Sequence, residues 1–347
     1  HNIKLLSHCI VAYLANPLIE GVPLISNYIE ISCKFFCIAK YAYLSFGIYG
    51  PNNAISELYG KLLGRKIDPL TEVLATIGGY EALFCAIHGF AGPGDEVIIV
   101  EPYFDCYVPM TISTGATPVF VPLKNKGSNP NYASSKDWVL DPDELARAFN
   151  IFTCDELQLI ADLCKKHDVI CISDEVYEWL VYKPAKHIRM ASLPGMWERT
   201  ITIGSAAGKI FSATGLKVGW VYCSAKLMRN LFTVHQNCVH CGTTFVQEAT
   251  ARCLEYELSL LGTPDCYLEN LSTILQPKRD YFCRVLRDAG FAPSIPEGGY
   301  FIVSKWSNLG KVKNCIKTVA SFKETCKGRS LIRKKIKEKG LIFQRRG

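Results

Sequence analysis

The chain has 347 residues, of which 49% are hydrophobic and 20% are charged, and its formal net charge is +7. This length and balance are ordinary for a soluble globular protein with a large buried core, and they predict two domains. No apolar run reaches about 18 residues, so we expect no membrane-spanning helix, and the short apolar stretch over residues 9–15 lacks the basic flank of a signal peptide.

The N-terminal part of the chain changes character near residue 47. Residues 1–46 are apolar but follow neither the period of a strand nor that of a helix, so they stay unassigned. Residues 56–64 predict a helix, because their leucines lie along one side. Residues 73–76 predict a strand that leads through a glycine pair to a helix over 81–90. Such a turn is an anion site, because unpaired backbone N–H groups point at the ligand, although most glycine pairs are simple turns.

The middle of the chain continues this alternation and then breaks it. Residues 96–100 and 116–123 predict strands, and Phe104 follows the first of them. Residues 141–149 predict a helix, and Thr153 begins another with the spacing of a Thr-x-x-Glu capping box. Two helices therefore follow each other with no strand between them, whereas a doubly wound sheet alternates strand and helix.

Residues 169–172 predict a buried strand whose end is followed by Asp174 and Tyr177. In an open α/β sheet, ligands lie at the carboxyl ends of the strands. A carboxylate there can keep a pyridine nitrogen protonated, as pyridoxal phosphate requires, and a phenol can hydrogen-bond the 3-oxygen of the ring. A helix cap or a turn residue is the alternative interpretation of Asp174.

The stretch over residues 200–222 carries a candidate nucleophile. A β-branched strand over 200–203 leads into a loop of small residues, which starts at Ser205 and reaches Lys209. Apolar surroundings lower the pKa of a lysine, because burial disfavours its charged form, and a neutral amine attacks carbonyl carbons. Lys217 precedes the next strand and could pair with a phosphate. An ordinary surface lysine beside a turn is the alternative interpretation of Lys209.

The last part of the chain contains two further patterns. Cys238 and Cys241 have the spacing of zinc ligands, but no second pair is near in sequence, so we predict no metal site. The sixteen cysteines are scattered, which predicts reduced thiols.

Residues 305–347 carry fourteen Lys and Arg against two Glu. A solvated basic helix face explains this tail better than nucleic-acid binding, because no nucleic-acid signature accompanies the charges.

Six segments resemble the fold-type I pyridoxal phosphate aminotransferases of the kynurenine aminotransferase and cysteine-S-conjugate β-lyase group. The resemblance implies an α/β fold, with a mostly parallel sheet flanked by helices in a cofactor-binding large domain over 47–275. A truncated small domain with the basic tail would occupy 276–347, and 1–46 would remain an unassigned segment. The segments span roughly residues 60–303, and they are IDPLTEVLATIGGYEALF, GDEVIIVEPYFDCYVPM, ADLCKKHDVICISDEVYEWLVY, LPGMWERTITIGSA, KIFSATGLKVGW and PEGGYFIV.

The resemblance also implies a role for each candidate residue. Lys209 would bind pyridoxal 5'-phosphate covalently and then act as the base that moves the α-proton of the substrate. Asp174 would keep the ring nitrogen charged, and Tyr177 would bond the 3-oxygen. Phe104 would stack on the ring, unless it only packs in the core. The phosphate group would be held by Gly79, Tyr80, Ser205 and Lys217.

The reaction implied by the resemblance is amino-group transfer to a 2-oxo acid. The donor would be a kynurenine-like, aromatic or glutamine-like amino acid, and some members also cleave cysteine S-conjugates. Family members are homodimers with active sites at the subunit interface, so we expect a homodimer with no nucleic-acid or membrane partner. The cytoplasm is the expected compartment, with the mitochondrion as the second choice.

Three departures from the family pattern support an alternative. Relatives have a strand and an Asn-Thr-Pro-x-Asn-Pro turn where this chain joins two helices at Asn150, and they have one residue fewer between the matches of Ser205 and Lys209. The pattern is also lost after Val303, before the arginine that grips the substrate carboxylate. The alternative is a catalytically impaired or non-catalytic variant that acts only as a binding or dimer partner. Losing two hydrogen bonds to charged groups would lower turnover on the order of a hundredfold.

Overall fold

The structure is a computed structural model. It describes residues 4–7, 49–125, 138–139, 154–206, 211, 214–288, 290–299, 301–302 and 304–305. The predicted helix over 141–149, the candidate base Lys209 and nearly all of the basic tail lie outside these described residues.

Eleven strands occur in the described part of the chain, and seven of them form one mixed sheet. All six strands predicted from the sequence are present, with ends within two residues of the predicted ones. The eleven strands are β1 (Lys4–Ser7), β2 (Val73–Thr76), β3 (Glu96–Glu101), β4 (Thr117–Pro122), β5 (Lys124–Asn125), β6 (Trp138–Val139), β7 (Ile170–Asp174), β8 (Thr200–Ser205), β9 (Gly219–Tyr222), β10 (Ala292–Pro293) and β11 (Ser304–Lys305).

The strand order of the large sheet is β2-β9-β8-β7-β1-β3-β4. The strands run parallel except for β9, which is antiparallel to both of its neighbours. Strands β7 and β8 are adjacent, with Asp174 paired in register with Ile203. The end of the strand that carries Asp174 therefore lies beside the end of the strand that precedes the loop with Ser205 and Lys209 in the sequence.

Strand β1 lies in the interior of this sheet, between β7 and β3, although the sequence pattern of residues 1–46 predicted no element there. Leu5 pairs with Val97 of β3 on one side and with Ile170 of β7 on the other. Between β4 and residue 154, the described residues supply only the short strands β5 and β6, which pair with each other. The sheet position beside β7 is thus occupied by a strand from the N-terminal end of the chain.

Seven α-helices accompany these strands within the described ranges. The helix predicted over 56–64 begins seven residues earlier, at Tyr49, and the one predicted over 81–90 begins at Gly78. The seven are α1 (Tyr49–Leu63), α2 (Gly78–Phe90), α3 (Tyr107–Ser113), α4 (Cys154–Lys166), α5 (Ala225–Cys238), α6 (Thr244–Leu260) and α7 (Tyr267–Asp288).

The helices cover both faces of the sheet, because successive strand residues point to opposite sides. In β3, Val97 and Ile99 pack in the core formed with α2, α3 and α5, whereas Ile98 and Val100 pack against α4. In β9, Val221 joins the first core, and Trp220 packs with α1 and α6 on the other face. The α/β class predicted from the sequence is confirmed.

Helix α7 runs through the predicted domain boundary at residues 275 and 276. Beyond it, β10 pairs with β11 in a separate two-stranded sheet, and Val181 forms a bridge with Gly298. The division into domains stays a prediction. In the described part of the chain, no helix is both long enough and apolar enough to cross a membrane.

Candidate active site

The candidate site is built at the carboxyl end of β7, where Asp174 closes the strand. Its carboxylate accepts a hydrogen bond of 2.8 Å from the Tyr107 hydroxyl and lies 3.5 Å from the Val176 backbone nitrogen. Tyr107 is fully buried in the first turn of α3, whereas Asp174 is half-buried. The acidic group that we selected from the sequence is therefore held in a fixed direction at the ligand-binding edge of the sheet.

The glycine pair selected from the sequence lies in the first turn of α2. Backbone N–H groups in the first turn of a helix have no partner within the helix, so they form a natural anion site. The turn packs closely against β9, since a Cβ atom added at Gly219 would lie 2.5 Å from the Gly78 carbonyl carbon and 2.6 Å from the Gly79 nitrogen. A Cβ atom added at Gly79 would lie 3.7 Å from the Cβ atom of Ser205. Gly79 and Ser205 are thus neighbours.

Aromatic side chains line the same edge. Phe104 is half-buried and makes edge contacts with Tyr80, at 6.4 Å between ring centroids, and with Tyr107, at 6.0 Å. Tyr177 is also half-buried and meets Phe301 edge-on at 5.6 Å. Four residues, Tyr80, Phe104, Tyr107 and Asp174, are therefore joined by a continuous series of contacts.

The structure describes only one of the two lysines selected from the sequence. Lys209 lies outside the described residues, so its role stays a prediction. Lys217 is exposed and adopts a left-handed backbone conformation with φ of 52°. A Cβ atom added at Gly78 would lie 3.9 Å from the Lys217 backbone, so Lys217 begins its side chain beside the glycine turn.

A buried ionic cluster supports the end of β7 from behind, and we call it the Glu175 cluster. Glu175 accepts hydrogen bonds from the Ser173 hydroxyl at 2.8 Å and the Met190 backbone N–H at 3.0 Å, and its carboxylate lies 2.8 Å from His187 Nε2. Burial alone would raise the pKa of Glu175, but His187 and Arg189 offset this effect and hold the pKa below its ordinary value. The cluster keeps a charged carboxylate one residue from Asp174.

The other half of the Glu175 cluster surrounds Glu178. Arg189 pairs with the Glu178 carboxylate at 2.5 Å, and the Tyr59 hydroxyl donates to the same carboxylate. Burial raises the pKa of Tyr59 well above its ordinary value, and the Glu178 charge raises it further.

Sequence reasoning missed Tyr107 and the Glu175 cluster. A signal existed for Tyr107, which stands three residues after Phe104. Glu175 and Glu178 stand in the segment SDEVYEWL with the three-residue spacing of neighbours on a turn. Their partners Tyr59 and Arg189 come from distant parts of the chain, so no local pattern could have predicted the cluster.

Comparisons with known proteins agree with this architecture. The chain is 47% identical over 274 residues to kynurenine–oxoglutarate transaminase 3 of Rattus norvegicus, a match that covers 74% of this chain and 60% of the rat protein. It is 44% identical over 317 residues to kynurenine–oxoglutarate transaminase 1 of Homo sapiens, covering 86% of this chain and 74% of the human protein.

Solved structures give the same result at the level of the fold. The structure of N-succinyldiaminopimelate aminotransferase from Mycobacterium tuberculosis is similar, with a TM-score of 0.71 and 31% sequence identity, covering 82% of this chain and 74% of that one. The model of the family described as aminotransferase class I and II matches residues 45–345. The resemblance drawn from the six segments is confirmed, and the chain belongs to the aminotransferase class I and II family.

Proposed function

We propose that the chain binds pyridoxal 5'-phosphate at the carboxyl edge of the sheet and transfers the amino group of a kynurenine-like amino acid to a 2-oxo acid. The observation that carries this proposal is the hydrogen bond of 2.8 Å that orients Asp174 from Tyr107, with Phe104 in contact with the same tyrosine. A fixed carboxylate, an aromatic ring and the helix amides beside Ser205 match the three parts of the cofactor: ring nitrogen, ring face and phosphate.

The substrate class is proposed from the relatives. The chain spans about 60% of the length of the rat transaminase, so the activity and the substrates of that whole protein are not assigned to it directly. The names of the relatives point to kynurenine as the amino donor and oxoglutarate as the acceptor. The non-catalytic alternative is not favoured by matches of 44–47% identity to transaminases.

The role of each residue follows from its place at the edge. When bound, pyridoxal phosphate supplies an electron sink that allows the α-proton of an amino acid to leave. Asp174 would hold a proton on the ring nitrogen, and the hydrogen bond from Tyr107 would keep the Asp174 carboxylate in position for this role. Tyr177 would donate to the 3-oxygen, and Lys209 would carry the covalent attachment and move the α-proton. The α2 amides at Gly79 and Tyr80, with Ser205 and Lys217, would hold the phosphate.

A labelling experiment tests the cofactor part of the proposal. The full chain is incubated with pyridoxal phosphate, reduced with borohydride and digested, and the labelled peptide is identified. We expect the label on Lys209, complete loss of label in Lys209→Ala, and retention in the matched control Lys217→Ala. A label on Lys217, or none in the unchanged chain, would contradict the assignment.

A kinetic experiment tests the substrate part separately. L-kynurenine consumption with 2-oxoglutarate is measured in the chain that has passed the labelling test. We expect Asp174→Asn to lower kcat/KM by about 10- to 150-fold, since a hydrogen bond to a charged group is worth about 1.5–3 kcal/mol. Tyr107→Phe should lower kcat/KM about tenfold, at the lower end of this range, because it removes one hydrogen bond to the Asp174 carboxylate but leaves the carboxylate itself. If the chain is labelled by pyridoxal phosphate but does not consume kynurenine, the cofactor assignment stands and the proposed substrate is wrong.

Assembly and compartment complete the proposal. We expect a homodimer, because the family places its active sites between two subunits, and sedimentation at micromolar concentration measures this. A cytoplasmic or mitochondrial position follows from the scattered cysteines, which suit a reducing compartment. Cell fractionation distinguishes the two compartments.

A further inference from the structure

A second group of reactive side chains lies between α2 and α5, outside the candidate active site, and we call it the Glu81 triad. Glu81 and Cys85 are four residues apart on α2, which puts them on one face of the helix, and His235 faces them from α5. Glu81 Oε1 lies 2.7 Å from Cys85 Sγ and 3.0 Å from His235 Nδ1. All three potential ligand atoms lie within 4.8 Å of one another.

The Glu81 triad is enclosed by apolar surroundings. Cys85 has 0% of its surface exposed, His235 has 3%, and the Glu81 side chain has 12%. Burial alone would raise the pKa of Glu81, but hydrogen bonds from His235 and Cys85 hold it below its ordinary value. Burial and the nearby Glu81 charge raise the pKa of the Cys85 thiol well above its ordinary value. In the absence of metal the triad therefore contains a carboxylate and a neutral thiol.

We propose that Glu81 Oε1, Cys85 Sγ and His235 Nδ1 bind one divalent metal ion of the zinc type, with a fourth coordination position left to a water molecule. Carboxylate oxygen, thiolate sulfur and imidazole nitrogen are the donors that zinc takes in proteins, and a three-ligand site with water is one of its usual forms. None of the three residues belongs to the proposed cofactor site, so this site is independent of the proposed function.

The change in geometry that metal binding needs is small. Ligand atoms about 2.0–2.3 Å from a tetrahedral zinc ion lie roughly 3.5 Å from each other. The Oε1–Sγ and Oε1–Nδ1 distances of 2.7 and 3.0 Å therefore have to widen by less than about 1 Å. Side-chain rotation on two adjacent helices supplies such a movement without a change of fold.

The charge balance favours the metal-bound state of a buried site. On binding, Cys85 releases its thiol proton to solvent, and the proton that His235 Nδ1 donates to Glu81 has to leave that nitrogen, either to Nε2 or to solvent. The ion is then surrounded by a carboxylate and a thiolate, whose two negative charges balance its double positive charge. At least one proton is released per metal bound.

Cobalt titration of the reduced, metal-free full chain tests the proposal, because Co²⁺ bound to a thiolate shows a charge-transfer band and a tetrahedral site shows visible d–d bands. We expect both signals to saturate at one Co²⁺ per chain, Zn²⁺ to abolish them, and at least one proton per metal to be released into weak buffer. Cys85→Ser should abolish the charge-transfer band. The matched control removes the exposed pair, Cys238→Ser with Cys241→Ser, and should retain it.

A second pair of variants keeps the test decisive if Cys85→Ser does not fold. Glu81→Gln and His235→Asn each leave the Cys85 thiol in place and remove one other ligand. We expect each to weaken Co²⁺ binding by more than the about 10- to 100-fold that outer-sphere partners of a metal contribute. A band that persists in Cys85→Ser, is lost in the control for the exposed pair, or keeps its affinity in both second variants would overturn the proposal.

Discussion

The Glu175 cluster and the Glu81 triad each bring carboxylate and imidazole atoms within 4.8 Å of one another, but their remaining groups differ. The first has a second carboxylate and an arginine, Arg189, which supplies a positive charge at 2.5 Å from Glu178. The second has a thiol, and the ion pair of Glu81 is with His235, whose charge depends on protonation. We infer that the fixed charge of Arg189 closes the first cluster to a cation, whereas the proposed metal site has no such charge among its three residues.

The largest effect is expected when the arginine is removed from the Glu175 cluster. Arg189→Met keeps the length of the side chain but leaves the buried Glu178 carboxylate without its cation, so we expect a loss of about 3–5 kcal/mol in the free energy of unfolding. Urea unfolding followed by circular dichroism measures this. The double variant Arg189→Met with Glu178→Gln should recover part of the loss, since it also removes the unpaired negative charge of Glu178. A loss in the free energy of unfolding below about 1 kcal/mol would show that the buried Glu178 carboxylate does not depend on Arg189 for its counter-charge.

Metal addition is expected to raise the free energy of unfolding only through binding at the Glu81 triad. At a free Zn²⁺ concentration of 100 times Kd, binding raises the free energy of unfolding by about 2.7 kcal/mol. Thermal unfolding with Zn²⁺ and with chelator should show this gain in the unchanged chain and in Glu175→Gln, but not in Glu81→Gln. An equal gain in all three proteins would mean that the metal binds elsewhere.

The acid dependence of stability should report the charge of Glu175. Its pKa is depressed in the folded state, so its stabilising contribution is present above the unfolded-state pKa of about 4.3 and is lost as the pH falls through that value and below. Glu175→Gln should therefore cost about 1.5–3 kcal/mol at pH 7 and flatten the decline in stability at acid pH. Urea unfolding at a series of pH values checks this, and parallel curves for the two proteins would contradict it.

The smallest change in the free energy of unfolding is expected from an exposed ion pair, which serves as a reference for the buried pairs. Arg252 lies on α6, with half of its side chain exposed, and pairs at 3.0 Å with Glu248 and with Glu255. We expect Arg252→Ala to change the free energy of unfolding by less than about 1 kcal/mol, and less still in high salt, because solvent screens surface charges. A change as large as that of Arg189→Met would remove the contrast between buried and exposed pairs.

Local patterns predicted six of the seven strands of the large sheet, because each of these strands has a recognisable sequence pattern of its own, whereas α3 and the short strands β5 and β6 were not predicted. Val73–Thr76 was predicted without error, and Asp174 was placed at the correct end of its strand. The helix starts were less accurate, since Tyr49 and Gly78 begin their helices without a side-chain signal that a pattern could detect.

The Glu175 cluster and the Glu81 triad, which sequence reasoning missed, depend on contacts between distant residues. Tyr59 reaches Glu178, and His235 reaches Glu81, from positions more than one hundred residues away. The partner of a buried carboxylate is set by the packing of whole helices, which periodicity does not encode. The strand Lys4–Ser7 was also missed, because residues 1–46 around it follow neither the period of a strand nor that of a helix.

The interior position of β1 has a consequence for the order in which the protein is made and assembled. Lys4–Ser7 is synthesised well before its second partner, which starts at Ile170. At about 5–20 residues per second, roughly 10–30 s of synthesis separate the two strands. Until Ile170–Asp174 is made, β1 can pair with β3 on one side only, and its other edge has no strand beside it. Unpaired edges favour aggregation. Biosynthesis of this chain therefore passes through a stage in which a strand from the interior of the finished sheet is an exposed edge.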